Sequence, residues 1–169
     1  MVDIARQLRL NAVEMLRQPG TTREFEVEVE GEAVSVVHDA LDGPIELNLR
    51  LETLNNGIAV GGTIATPWRG VCRRCLESLS GIDIADVDEL YQKVVIDPDA
   101  YLIENGQLDL VPLVRETALL QLDDERLCRP DCAGLCPECG IDRNHESCDC
   151  GAEIRDDRWA ALEGLELDK

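Results

Sequence analysis

The chain has 169 residues, 44% hydrophobic and 30% charged, enough apolar material for one buried core and too much for a disordered protein. Its 35 Asp and Glu outnumber 16 Lys and Arg, for a net charge of −19. A surface this acidic repels phosphate, which argues against wrapping DNA or RNA and against anionic membrane surfaces. Five aromatic residues, Phe25, Trp68, Tyr91, Tyr101 and Trp159, are too few for a platform that stacks single-stranded bases. Proteins and small molecules are the easier partners.

Residues 4 to 17 place Ile4, Leu8, Val13 and Leu16 near the helical period among Arg6, Arg9, Glu14 and Arg17, and Pro19-Gly20 ends the run. This predicts one amphipathic helix packed on its own domain. Asp3, Arg6 and Arg9 interrupt any apolar signal segment, so a cytosolic start is expected. From Thr22 to about Val95 the period changes to two. Phe25, Val27 and Val29 alternate with glutamates, Val34 and Val36 follow Gly31, and Ile45, Leu47, Leu49 and Leu51 alternate with Glu46, Asn48, Arg50 and Glu52. Ile58, Val60 and Ile64 follow the Asn55-Asn56-Gly57 turn, and Leu79, Ile82, Ile84, Val87, Leu90, Val94 and Val95 continue beyond Cys72 and Cys75. The pattern predicts five or six antiparallel strands with one wet face, in a twisted sheet or open barrel.

Residues 97 to 107, with Pro98, Asn105 and Gly106, read as a loop. The helical period returns from Leu108 to Leu122, with Asp109 at the start and Pro112 in the first turn, and this helix is expected to cover the sheet. Ile154 to Leu167 is a candidate short helix or tether. The fold class is therefore α+β: a mostly antiparallel sheet or open barrel with an N-terminal helix, a covering helix and a C-terminal cysteine-rich zinc segment. The boundary falls between a β domain over 1–127 and a zinc-binding tail over 128–169 packed on it.

Eight cysteines form four close pairs: Cys72 and Cys75, Cys128 and Cys132, Cys136 and Cys139, and Cys148 and Cys150. In a reducing compartment such pairs favour metal over disulfides. Eight thiolates satisfy two tetrahedral zinc sites, and Gly140, after the C-P-E-C turn, frees backbone amides to point at sulfur. Cys136, Cys139, Cys148 and Cys150 can close a small loop unaided, which leaves Cys72 and Cys75 to Cys128 and Cys132. The alternative joins the two C-x2-C turns and leaves Cys128, Cys132, Cys148 and Cys150 to the second site. His145 is a substitute ligand near Cys148, whereas His38 reads as a core or surface residue. A thioredoxin-type role for Cys72 and Cys75 would need a helix start within a βαβ unit, but here the pair falls between strands. Four thiolates leave no position for an activated water, and there is no phosphate loop or nucleophile elbow, so no enzyme is expected.

The residues M-L-R-Q-P-G (Met15 to Gly20), C-R-R-C-L-E (Cys72 to Glu77), L-D-L-V-P-L-V-R-E (Leu108 to Glu116) and L-C-R-P-D-C-A-G-L-C-P-E-C-G (Leu127 to Gly140) resemble the YceD family of large ribosomal RNA subunit accumulation proteins. The tail is similar to the family's cysteine-rich version. The resemblance implies a bacterial cytoplasmic protein of ribosome biogenesis, without a known enzymatic reaction. Two zinc tetrathiolates would take the charge to about −23. The expected partner is then a basic ribosomal protein or a large-subunit assembly intermediate, with no membrane and no DNA. Trp68, Arg69, Arg73, Arg74, Arg126, Arg129 and Arg143, gathered in sequence around the cysteines, are the candidates for a local ribosomal RNA contact or a partner contact. Their blander role is pairing with surplus carboxylates. A zinc-dependent regulatory or transcription-related module is the competing class, and it needs a basic recognition element absent from this sequence.

Overall fold

The computed structural model describes residues 4–122 and 125–150. The candidate helix over Ile154 to Leu167 lies outside them. In chain order the elements are α1 (Ile4–Gln7), β1 (Arg9–Asn11), α2 (Ala12–Met15), β2 (Thr22–Val29), a 3-10 turn (Gly31–Val34), β3 (Ile45–Thr53), β4 (Gly57–Val71), β5 (Ser78–Gln92), β6 (Tyr101–Leu102), β7 (Gln107–Asp109) and α3 (Val111–Gln121).

The main sheet runs β2-β3-β4-β5-β6. It is antiparallel except for β6, which lies parallel to β5 with Tyr91 opposite Tyr101. The outer strands, β2 and β6, do not pair with each other, so the sheet is open and no barrel closes. β3 carries the alternation that its sequence predicts: Ile45, Leu47, Leu49 and Leu51 are buried while Glu46, Asn48, Arg50 and Glu52 are exposed. These leucines pack with Ile58, Val60 and Ile64 of β4, Val87 and Tyr91 of β5, and Leu113, Val114 and Ala118 of α3. The covering helix is thus confirmed, starting at Val111 rather than Leu108. The Asp109 carboxylate accepts from the Val111 N–H at 2.9 Å, and Pro112 occupies the first turn, where no amide hydrogen is needed.

Four local expectations are corrected. Residues 4 to 17 do not form one helix: Leu8, Leu10 and Ala12 are all buried with period two, and β1 pairs with β7 (Leu10 opposite Leu108) in a separate two-stranded sheet. Asn11 then caps α2, its side chain accepting from the Glu14 N–H at 3.2 Å, and Val13 of the supposed apolar stripe is 45% exposed. Val34 and Val36 are buried as expected but neither is on a strand: Val34 ends a 3-10 turn closed by Ser35 at φ 59°, and Val36 follows it. The loop over 97 to 107 contains β6 and the start of β7. Finally, β5 stops at Gln92, whose side-chain oxygen accepts from the N–H groups of Ile96 and Asp97 and turns the chain before Val94 and Val95 can extend it.

β4 and β5 are the longest strands. β3 pairs with β4 only as far as Ala65, opposite Glu46; from Thr66 to Val71, β4 continues with β5 as a projecting hairpin, steadied by one bridge from Leu41 to Trp68. Gly81 lies opposite Trp68, and a Cβ there would fall 2.8 Å from the indole, so only glycine lets the ring lie flat on β5. The hairpin carries Cys72 and Cys75 at its tip.

Candidate metal centres

The tip is a tight turn in which Cys72 N–H donates to the Glu77 carbonyl at 2.8 Å and Leu76 N–H to the Cys72 carbonyl at 2.9 Å. Residues 125–150 return to this tip. Arg73 N–H donates to the Arg126 carbonyl, Leu135 N–H to the Arg74 carbonyl, and the Arg74 guanidinium to the Pro130 and Cys132 carbonyls at 3.3 and 3.0 Å. These bonds bring Cys128 and Cys132 against Cys72 and Cys75. Further along, Cys136 N–H donates to the Ile141 carbonyl and Gly140 N–H to the Cys136 carbonyl. Gly140 stands at φ 74°, a left-handed position that favours glycine.

Two sets of four sulfurs result, Cys72, Cys75, Cys128 and Cys132 (the junction cluster) and Cys136, Cys139, Cys148 and Cys150 (the tail cluster); within each, all sulfurs lie within 4.8 Å of one another. This is the pairing that the loop-closure argument favours, and it rules against joining the two C-x2-C turns. In the junction cluster Cys72 and Cys132 sulfurs are 3.8 Å apart and Cys75 and Cys128 sulfurs 3.7 Å. A tetrahedron with metal–sulfur bonds of about 2.3 Å has edges of about 3.8 Å, whereas a disulfide is about 2.05 Å. All eight cysteines are free thiols. Four sulfurs at that spacing fit a soft divalent cation.

The electrostatics agree. Burial pushes the Cys72 thiol up, but the N–H groups of Cys128, Cys75 and Arg74 outweigh it and hold the group at about 6. The N–H groups of Cys139 and Glu138 bring Cys136 to about 6 as well. Cys128 is pushed up to about 12 by burial and by the neighbouring sulfurs, and Cys150 to about 12 by the Cys139 sulfur and by burial. Each C-x2-C turn therefore favours one thiolate while further negative sulfurs repel one another, a conflict that a central cation resolves.

The clusters differ in cover. Cys72 is fully buried, Cys75 and Cys132 nearly so, and Leu79, Leu127 and Leu135 pack around them. In the tail cluster only Cys136 is buried; Cys148 and Cys150 are half-buried and Cys139 is exposed. His145 is not among either set of sulfurs: its side chain is 73% exposed and lies 3.7 Å from the Asp142 carboxylate. His38 is half-buried in a loop, where its Nδ1 accepts from the Ala40 N–H. Cys72 and Cys75 stand at a hairpin tip and not at a helix start, unlike a thioredoxin-type pair.

Most of the candidate contact arginines are engaged by carboxylates. Arg69 pairs with Asp42 at 3.8 Å, Arg73 with Glu125 at 2.9 Å and Arg129 with Asp131 at 3.4 Å. Arg126 bonds Asp83 at 2.7 Å and stacks 3.6 Å over the Trp68 ring, whose own N–H also donates to Asp83. Arg74 is spent on main-chain carbonyls, and Arg143 is exposed. Arg69 and Arg126 flank an open groove of about 630 Å³ beside the hairpin, with Val71 and Leu79.

One residue of the site escapes sequence reasoning. Asn144 bonds the Cys132 sulfur through Nδ2 at 3.4 Å, while its Oδ1 accepts from the Ala133 N–H and the Arg129 guanidinium, both at 2.8 Å. It lies in the loop that the tail cluster closes, so it ties one cluster to the other. An Asp142 oxygen accepting from the Asn144 backbone N–H at 2.9 Å sets the turn. The D-x-N spacing is the only sequence signal for it.

An open, mostly antiparallel sheet whose longest hairpin ends in a four-sulfur cluster defines a class of cysteine-clustered α+β protein. Residues 60–166 match the family model described as "Large ribosomal RNA subunit accumulation protein YceD". The chain belongs to the YceD family. An uncharacterized protein of Mycobacterium bovis is 28% identical over 94% of this chain and 81% of its own length, and one of Mycobacterium leprae is 33% identical over 57% of this chain and 48% of its own. A chloroplastic protein of Arabidopsis thaliana named "Large ribosomal RNA subunit accumulation protein YCED homolog 1" is 31% identical over 37% of this chain and 19% of its own. No solved structure matches. Among the described residues no helix is long and apolar enough to cross a membrane.

Proposed function

We propose that each cluster holds one structural zinc ion and that the protein is a non-catalytic cytoplasmic factor in assembly of the large ribosomal subunit. The observation that carries this reading is the family match over residues 60–166, a span that includes all eight cysteines. Thiolate donors select zinc among the common divalent ions, and four of them close the coordination sphere, leaving no place for an activated water. Zinc at the junction cluster would fasten residues 125–150 to the hairpin tip.

The partner is a basic ribosomal protein or an assembly intermediate that presents one. Two features support protein over RNA. The outer faces of β2 and β3 expose Glu24, Glu26, Glu28, Glu46 and Glu52, with Glu28 directly opposite Glu46. Arg69, Arg73, Arg126 and Arg129 are already paired with carboxylates, which lowers their value to phosphate. Depletion of the protein, followed by ribosome profiles and a pull-down at two salt concentrations, tests the reading. Loss of large-subunit RNA with capture of a ribosomal protein that salt releases is the expected result. Normal RNA levels without a ribosomal partner refute it. Two zinc ions per chain by elemental mass spectrometry are expected, and another metal or none refutes the metal assignment.

A further inference from the structure

We propose that Cys139 is a peroxide-modification site, and that its oxidation opens the tail cluster while the junction cluster stays closed. The proposal rests on the reading of both clusters as zinc sites. Both present four cysteine sulfurs, so ligand type does not separate them; access to an oxidant does.

The junction cluster draws its ligands from two regions more than 50 residues apart, with Cys75 and Cys128 separated by 53 and Cys72 and Cys132 by 60. Three of its four sulfur-bearing residues are buried beneath leucines, and the Arg74 guanidinium clamps the carbonyls of Pro130 and Cys132 across it. Cys128 is half-buried, and reaching any of the other three sulfurs means parting the hairpin tip from the returning chain. The tail cluster is made by one short stretch, Cys136 to Cys150. None of its four cysteines belongs to a buried hydrophobic cluster, and Cys139 is exposed.

The chemistry balances with one molecule of hydrogen peroxide. The Cys139 sulfur attacks a peroxide oxygen, an S–O bond forms as the O–O bond breaks, and the departing hydroxide takes a proton and leaves as water. The sulfur of Cys148 or Cys150, within 4.8 Å, then attacks the sulfenic acid. A disulfide forms, and the oxygen leaves with a proton as a second water. Each of the two cysteines has given up one electron. Two thiolates remain where four are needed, so the set no longer retains a metal ion, and a dithiol reductant restores it.

The test uses the full chain, first assayed for zinc, then treated with graded hydrogen peroxide in the presence of a chromogenic zinc chelator. Alkylation and peptide mapping locate the oxidised sulfurs. One zinc equivalent is expected to leave at least about tenfold faster than the second, with Cys139 in a disulfide and Cys72, Cys75, Cys128 and Cys132 still shielded from alkylation. The Cys148→Ser/Cys150→Ser double variant loses the fast phase and keeps the slow one. Release of both equivalents in one phase, or oxidation of the junction cysteines first, overturns the proposal. A chain that carries fewer than two zinc ions before peroxide is added overturns the zinc reading, and this proposal with it.

Discussion

Residues 4–122 and residues 125–150 are held in shape by different forces. The first region buries 22 side chains in one hydrophobic cluster, almost all of them Leu, Ile, Val and Ala. In the second, the buried residues are Cys132, Gly134 and Cys136, and the order comes from turns, sulfur sets and ties to the hairpin. A stretch of 26 residues cannot exclude enough water to offset the entropy of its own ordering. It needs cross-links, and the cysteines are placed to supply them. The difference teaches where each region is vulnerable: the sheet to a lost methyl group, the tail to a lost ligand.

The largest effect should come from Cys72→Ser with Cys75→Ser. A tetrathiolate zinc site contributes on the order of 10 kcal/mol to ordering the chain around it, and this pair fastens residues 125–150 to the sheet. Limited proteolysis should cut between Leu122 and Cys136 in the variant and not in the parent, while the β-sheet circular dichroism persists. If sheet and tail unfold together, the division between them is wrong. The companion variant Cys148→Ser/Cys150→Ser should lose one metal ion and expose Cys136 and Cys139 to alkylation, with Cys72 and Cys75 still protected.

The converse experiment alters the core. Leu49 is 1% exposed at the centre of β3, and Leu49→Ala should cost about 2–5 kcal/mol through lost burial and the cavity left behind. Chemical denaturation reads this as a lower midpoint with an unchanged slope. Metal content at 25 °C should stay at the parent value. Loss of metal in this variant would show that the clusters depend on the sheet more closely than the tip contacts suggest.

Much of this division is legible in the residues before any coordinates. β3 shows its alternation because one face meets water, and the cysteine pairs show themselves because chelating turns demand short spacings. The elements that escape are those whose partners lie far off in sequence. β1 exists because Leu10 lies opposite Leu108, with Leu8 and Ala12 bonded through their main chains to Leu110 and Gly106, nearly a hundred residues away, and three alternating positions are too few to outweigh a competing helical stripe. β6 is two residues long and defined by the free edge of β5. Val34 and Val36 are identifiable as core, but not as the end of a 3-10 turn and the residue after its cap, because burial alone does not specify backbone conformation. Arg126 reads as one of several arginines near cysteines, yet its contact is with Trp68 and Asp83, which only the hairpin brings to it.

Asn144 gives a finer test of how the two clusters communicate. Asn144→Ala removes the Nδ2 contact to the Cys132 sulfur and leaves the Ala133 N–H and one Arg129 donor unmatched. The expected cost is about 1–3 kcal/mol. It should appear as faster transfer of the junction metal to a chelator, with sheet stability unchanged. Asn144→Asp keeps an acceptor for both donors but sets a negative charge beside the sulfurs. It should lose the junction metal at least as fast as the alanine variant if the Nδ2 bond matters, and behave like the parent if only the acceptor does.

The smallest effect concerns charge, and it has opposite signs in the two regions. On the sheet, burial first, and then the negative charges of Asp88, Glu116 and Asp99, hold the Glu89 carboxyl above its ordinary range. In the tail, the Asn144 backbone N–H outweighs burial and holds Asp142 below its ordinary range. A raised carboxyl binds its proton more tightly in the folded state than in the unfolded one. Folding stability therefore falls as pH rises through the interval between the two values, and Glu89 costs stability at neutral pH. Asp142 does the reverse, contributing above its unfolded value and losing that contribution as pH falls through its lowered folded value. Glu89→Gln should raise the thermal midpoint of the sheet at pH 7.5 by the equivalent of a few tenths of a kcal/mol, after allowance for its exposure to solvent. The gain should shrink at pH 5, measured against the parent at each pH so that any metal loss cancels. Asp142→Asn keeps one acceptor oxygen for the turn but removes its negative charge, which weakens the bonds from Asn144 and should speed metal loss at pH 7.5. If both substitutions stabilise, the carboxylates of the tail are as mutually repulsive as those of the sheet, and the electrostatic contrast between the two regions does not hold.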